Sequence, residues 1–138
     1  DKDSGILLLS KVLEEGSDAS KQVAMATLVN HYFTSDQSFE VDSLLNMDIK
    51  ITDDVLSSKL LTLKGDIRSN NEDYEAAIEA YEESADAYPS LDVEFKIAEA
   101  HYKLGKNDKA KEIVESILEN EDASATVKSK SSVLKSRL

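Results

Sequence analysis

A helix pair that recurs along the chain limits its fold more than any other feature. Residues 60–89, LLTLKGDIRSNNEDYEAAIEAYEESADAYP, read as two antiparallel helices joined by a short turn. Leu56, Leu60, Leu63 and Ile67 step by four, three and four, so one helical face is apolar. Ser69, Asn70 and Asn71 interrupt that face with residue types that favour turns and caps. Tyr74, Ala77, Tyr81, Ala85 and Tyr88 line one side of a second helix. Pro89 ends it, because proline disfavours helix in the residue before it.

The design returns downstream. Ile97, Ala98, His101 and Tyr102 lead through Leu104 and Gly105 into Ala110, Ile113, Val114, Ile117 and Leu118. Ala77 and Ala110, each a small residue early in its second helix, lie 33 positions apart. A helix-pair period of about 34 residues is the tetratricopeptide length. Gly65, Ala77, Tyr81 and Pro89, and then Ala98, His101, Gly105 and Ala110, resemble the tetratricopeptide pattern. The resemblance implies an all-α fold, a right-handed α-solenoid of antiparallel helix pairs in which small residues permit close approach and aromatics fill the gaps. It does not by itself imply a function.

At 138 residues the chain fits one domain, 1–138. Within it we expect a degenerate repeat over 19–46, repeats over 53–89 and 91–120, and a capping helix over 124–138. About three units and a cap result. Four Gly and one Pro argue for long helices over loops. With no Cys there is no disulfide framework and no thiolate chemistry.

Asp3 or Ser4 is placed to cap a first helix with Ile6, Leu9, Val12 and Leu13 on its apolar face. Leu7 and Leu8 widen that face, and Gly16 is placed to end the helix in a left-handed conformation. So apolar a helix needs cover on more than one side, so Leu7 and Leu8 are candidates for self-association. Ser17 or Asp18 caps the next helix, with Met25, Leu28, Val29 and Tyr32 inward. A turn at 34–38 leads to Phe39, Val41, Leu44 and Leu45. Val41 stands 36 residues before Ala77, where a small residue is expected. Residues 46–51 alternate like a strand but over too short a run, and are read as a linker. Thr52 is placed to cap the helix that follows.

The net charge is −12, all of it within residues 1–90, which hold 7 basic and 19 acidic residues. Such a chain repels phosphate backbones, which argues against nucleic acid. The acidic surface is either solvated or faces a basic partner. No stretch approaches the roughly 20 apolar residues of a membrane span, so no direct membrane insertion is expected. The chain starts at Asp1 rather than Met, which is compatible with a leader, anchor or further repeats upstream.

No catalytic constellation is legible. His101 falls where the family packs an aromatic or His, and His31 has no Asp or Glu one turn away. There is no HExxH, no phosphate-binding Gly-rich loop and no GxSxG, so neither a metal, a cofactor nor an enzyme activity is expected. Glu72, Asp73, Glu75, Glu79, Glu82, Glu83 and Asp86 lie opposite Ala77 and Tyr81, on a face expected in solvent.

In the family, the first helix of each pair lines a concave groove. The resemblance therefore places Ala26, Asn30 and Phe33, then Thr62, Asp66 and Ser69, then Phe95, Lys96, Glu99 and Tyr102, along that groove, with Lys130 and Arg137 from the capping helix. Phe95 and Tyr102 are either exposed hot-spot aromatics or, if the helix is rotated, core. Members that hold the C-terminal tail of an Hsp70 or Hsp90 chaperone use Lys and Asn. Here Thr62, Asp66 and Lys96 stand in the matching places, and Asp66 argues against that partner. Residues 58–138 also loosely resemble the tetratricopeptide tails of bacterial cell-envelope adaptors, which tilts localisation toward a periplasm over the cytoplasm. The expected function is a non-catalytic adaptor holding a peptide or partner protein of unknown identity in the groove. The alternative is a self-associating module, such as a homodimer, in which the first helix completes a neighbour.

Overall fold

The computed structural model describes residues 2–138, with side chains from Asp3 onward. Among them run eight α-helices and no strand: α1 (Lys2–Glu15), α2 (Asp18–Thr34), α3 (Ser38–Leu45), α4 (Asp54–Asn70), α5 (Tyr74–Ala87), α6 (Leu91–Lys103), α7 (Asn107–Glu119) and α8 (Ala125–Ser136). No helix of the described residues is long and apolar enough to cross a membrane. The chain divides into two compact units, residues 1–60 and 61–138, and α4 begins in the first and ends in the second.

In the first unit α1 packs on α2 and α2 on α3. Leu13, Ala24, Met25, Leu28, Val29 and Val41 are its buried apolar residues. The helix is already formed at Lys2, upstream of the expected caps Asp3 and Ser4. Gly16 ends α1 without a left-handed conformation. It is required by space instead: a Cβ there would sit 2.6 Å from the Val12 carbonyl oxygen and 2.9 Å from Val12 Cγ1. Ser17 caps α2 by accepting the Ser20 amide. Thr52 does not cap α4; Asp53 does, accepting the Leu56 amide at 2.9 Å. Thr52 is spent on Gln22 of α2, whose side chain accepts the Thr52 amide at 2.8 Å and donates to its hydroxyl at 2.9 Å. Residues 46–53 form the connection that this clasp holds.

Three turns share one backbone design. Asp36, Glu72 and Gly105 each adopt positive φ, at 57°, 62° and 78°. After each, the next amide reaches back to a carbonyl five residues earlier: Gln37 to Tyr32, Asp73 to Arg68 and Lys106 to His101, each at 2.9 Å. This is the Schellman closure, which satisfies carbonyls that the ending helix leaves free. The next helix then starts in register, with Val41, Ala77 and Ala110 donating to residues 37, 73 and 106 and each fully buried. Val41 thus occupies in its helix the place that alanine takes in the other two.

In the second unit α5 packs on α6, α6 on α7, and α8 on both α7 and α6. Two core clusters meet on α6. Val93, Ile97 and Ala100 face Ala77, Ile78 and Tyr81 of α5. Phe95 and Ala98 face Val114 and Ile117 of α7 and Val127 and Leu134 of α8. These sets step by three and four residues, so two adjacent sides of α6 are buried. Asp73, Ser90 and Ser124 accept amides as the N-caps of α5, α6 and α8.

Candidate protein-interaction groove

The end of α4 meets α5 through a gap cut to fit one ring. A Cβ on Gly65 would collide with the Tyr81 ring, so Gly65 is what lets that ring lie flat on α4. The Tyr81 hydroxyl donates to Asp66 Oδ1 at 2.6 Å. Burial, and then the Asp66 hydrogen bond and charge, push the phenol well above its ordinary range, so it stays protonated and donating. Lys96 Nζ, from α6, donates to both oxygens of the same carboxylate at 2.7 and 2.9 Å and lies 5.9 Å from the Tyr81 ring centroid. One carboxylate therefore ties α4, α5 and α6 together. Thr62 and Ser84 add a hydroxyl pair at 2.7 Å between α4 and α5.

Between α6 and α8 lies an open cleft of about 380 Å³. From α6 it is lined by Asp92, Phe95, Lys96 and Glu99; from α8, by Ser129, Lys130, Val133 and Leu134, with Arg137 at the α8 C-cap. Phe95 and Leu134 are buried at its floor, at 8% and 5% exposure, while Val133 is half-exposed. Asp92, Glu99, Lys130 and Arg137 stand exposed on its rims.

Five of the expected groove residues, Phe95, Lys96, Glu99, Lys130 and Arg137, line this cleft together. Their surroundings differ from expectation. Phe95 is a core residue whose edge forms the floor, not an exposed aromatic. Tyr102 is half-buried against the same core cluster and does not line the cleft. The reason is the double burial of α6: once Phe95, Ala98 and Tyr102 turn toward α7 and α8, the solvent stripe shifts one position, to Asp92, Lys96, Glu99 and Lys103. Asp66 and Thr62 are occupied by their inter-helix bonds. In the first unit Phe33 is 59% exposed on α2, and Leu7 and Leu8 are 71% and 66% exposed on α1.

His101 is 8% exposed at the end of α6, and its Nδ1 is buried without a hydrogen-bond partner. Burial, then Lys109 and Lys106, lower its pKa against a smaller pull from Glu82, so the ring is held neutral. The seven carboxylates of the 72–86 segment are all exposed. Among the described residues no group of three or more His, Asp or Glu could hold a metal ion.

A family model of the tetratricopeptide repeat matches residues 70–131. That span runs from the end of α4 through α5, α6 and α7 into α8, and so takes in the cleft's α6 wall and the first part of its α8 wall. Residues 70–131 are thus tetratricopeptide-like, and the all-helical fold is consistent with an α-solenoid of that kind. A search of curated proteins gave no match. Tetratricopeptide repeats generally mediate protein–protein interaction and are typically non-catalytic.

Sequence reasoning missed the Asp66–Lys96–Tyr81 link. Its signal was present: in the register set by the turns, Glu99 is the counterpart of Asp66, and Lys96 lies one turn before Glu99 on the same stripe. Opposite charges on one stripe of successive first helices mark such a tie.

Proposed function

We propose that this chain is a non-catalytic adaptor that holds a peptide segment of a partner protein in the cleft between α6 and α8. The observation that carries the reading is the cleft itself: an apolar floor under charged, exposed rims, open to solvent, with its α6 wall inside the matched residues 70–131. A volume of about 380 Å³ is enough for a few side chains of a bound segment. The link through Asp66 and Lys96 supports it from below by fixing α6 against α4 and α5, so the wall is formed before a partner arrives. In this reading 91–120 is the repeat that supplies one wall and 124–138 is the capping helix that supplies the other.

A photo-crosslinking amino acid at Val133, compared with one at Glu112 on the exposed side of α7, tests this in native extract. Capture of a defined partner from position 133 and not from 112 is the expected result. Equal capture from both positions would move the binding site off the cleft.

One observation favours a second reading, in which α1 mediates self-association: Leu7 and Leu8 are exposed on neighbouring positions of one helix. Sedimentation of the wild-type chain against a Leu7→Lys, Leu8→Lys variant decides it. A dimer that dissociates in the variant supports self-association, and a monomer in both rules it out.

A further inference from the structure

We infer that the segment held between α6 and α8 is acidic with an apolar anchor, and that Lys130 and Arg137 recognise its carboxylates. This rests on the reading of the cleft as the binding site. The chain carries a net charge of −12, yet residues 125–138 hold four basic residues and no acidic one. The capping helix is the positive element of an acidic protein, and its charges have different surroundings. Lys135 lies 3.7 Å from Glu115 of α7. Lys130 and Arg137 line the cleft, stand exposed, and make no ion pair among the described residues. The remaining cation of the cleft, Lys96, is engaged by Asp66. Two cations are thus left to meet a ligand, Lys130 on α8 and Arg137 at its C-cap.

Their spacing states what they fit. Lys130 and Arg137 lie seven positions apart, two helical turns, so both project from one side about 10 Å apart along the axis. A peptide in the polyproline II conformation rises about 3.1 Å per residue with three residues per turn, so carboxylates three residues apart fall on one side and span about 9 Å. Val133 and the floor of Phe95 and Leu134 lie between and below the two cations, where an apolar side chain between those carboxylates would settle. The opposite wall excludes broader anions. Asp92 and Glu99 stand exposed on the α6 rim and repel a nucleic acid or an anionic bilayer, both of which spread charge across the opening. A single peptide strand can turn its acidic edge to α8 and leave that rim alone.

An array of short end-blocked peptides tests this with the full chain. The array carries paired carboxylates three residues apart around a leucine or phenylalanine, matched peptides with lysines in place of the carboxylates, and uncharged controls. Phosphatidylserine vesicles are measured in parallel. The acidic set should bind roughly tenfold more tightly than the basic set, and added salt should weaken it. A Lys130→Glu, Arg137→Glu variant, both changes at exposed positions, should reverse the preference, and Val133→Asp should lower binding of every set. Binding that ignores charge reversal but is lost with Val133→Asp overturns the acidic chemistry and leaves the cleft standing. Binding that ignores both variants, or no peptide binding at all, overturns the cleft reading as well. Retention on vesicles without peptide binding overturns it in favour of a membrane surface.

Discussion

Phe39 and Phe95 are the same side chain in two halves of one chain, and their surroundings are opposite. Phe95 is 8% exposed, wedged among Ala98, Val114 and Leu134, while Phe39 is 80% exposed near the start of α3. The turn register gives the contrast its meaning: Phe39 stands where the second unit has the exposed acids Glu75 and Asp108. The same holds more widely. Leu7, Leu8, Val23, Phe33, Phe39, Met47 and Val55 are large apolar residues exposed in the first unit; in the second, Tyr88 and Val133 are. Yet the α2–α3 turn closes with the same positive φ and the same hydrogen bonds as the α4–α5 and α6–α7 turns. Backbone turn and central buried residue can therefore persist while the division into apolar inside and polar outside does not. The second unit combines a continuous core with one shaped, charged cleft, and that combination is what a positioned binding site needs.

The largest test of this contrast pairs the two phenylalanines. Phe95→Ala removes a packed core ring and should cost about 3–5 kcal/mol; Phe39→Ala should lie within about 0.5 kcal/mol of wild type. Urea unfolding followed by circular dichroism measures both, and similar losses would erase the distinction between the units. For the same reason Phe95→Ala is a poor probe of binding, and exposed Val133 is the better one.

Two helical glycines should differ in sign. Gly65→Ala drives a methyl into the Tyr81 ring and should cost about 1–3 kcal/mol. Gly5→Ala in α1 meets nothing within 4 Å and should stabilise by roughly 0.5–1 kcal/mol through helix propensity. Partial rescue of Gly65→Ala by Tyr81→Leu would locate the cost in that contact.

A pH series sharpens the comparison further. Burial holds the His101 pKa below its ordinary value near 6.5. Above about pH 6.5 the ring is neutral both folded and unfolded, and its contribution to stability is fully present. As pH falls, the unfolded chain takes the proton first, so stability is lost progressively down to the folded-state pKa. The urea midpoint should fall as pH drops below about 6.5, and His101→Phe should flatten that stretch of the curve.

The smallest effects lie in the turns. Glu72 adopts a conformation that costs a side-chain-bearing residue about 1 kcal/mol, so Glu72→Gly should stabilise slightly and Gly105→Ala should do the reverse. Opposite results would mean that the shared turn geometry is not what limits these positions.

The helices and the placing of Ala77, Tyr81 and Ala110 were legible in the sequence because period and small-residue spacing report directly on helix packing. The orientation of α6 was not. Phe95 and Asp92 lie three apart on the same helix, and only the arrival of α8 decides which of them is covered. Thr52 and Gly16 were misjudged for a related reason: a capping residue can be taken by a distant partner such as Gln22, and a helix-ending glycine can be demanded by space instead of φ. Charge was misleading in sum, since the acidic total conceals a wholly basic final helix.

The most direct test of the account is an amide chemical-shift map of the isotopically labelled chain, titrated with the partner segment that crosslinking at Val133 recovers. The account predicts that the shifts concentrate on Asp92, Lys96 and Glu99 of α6 and on Lys130, Val133 and Arg137 of α8. Shifts centred on Leu7, Leu8, Phe33 or Phe39, with the cleft residues unmoved, would contradict it and assign binding to the first unit.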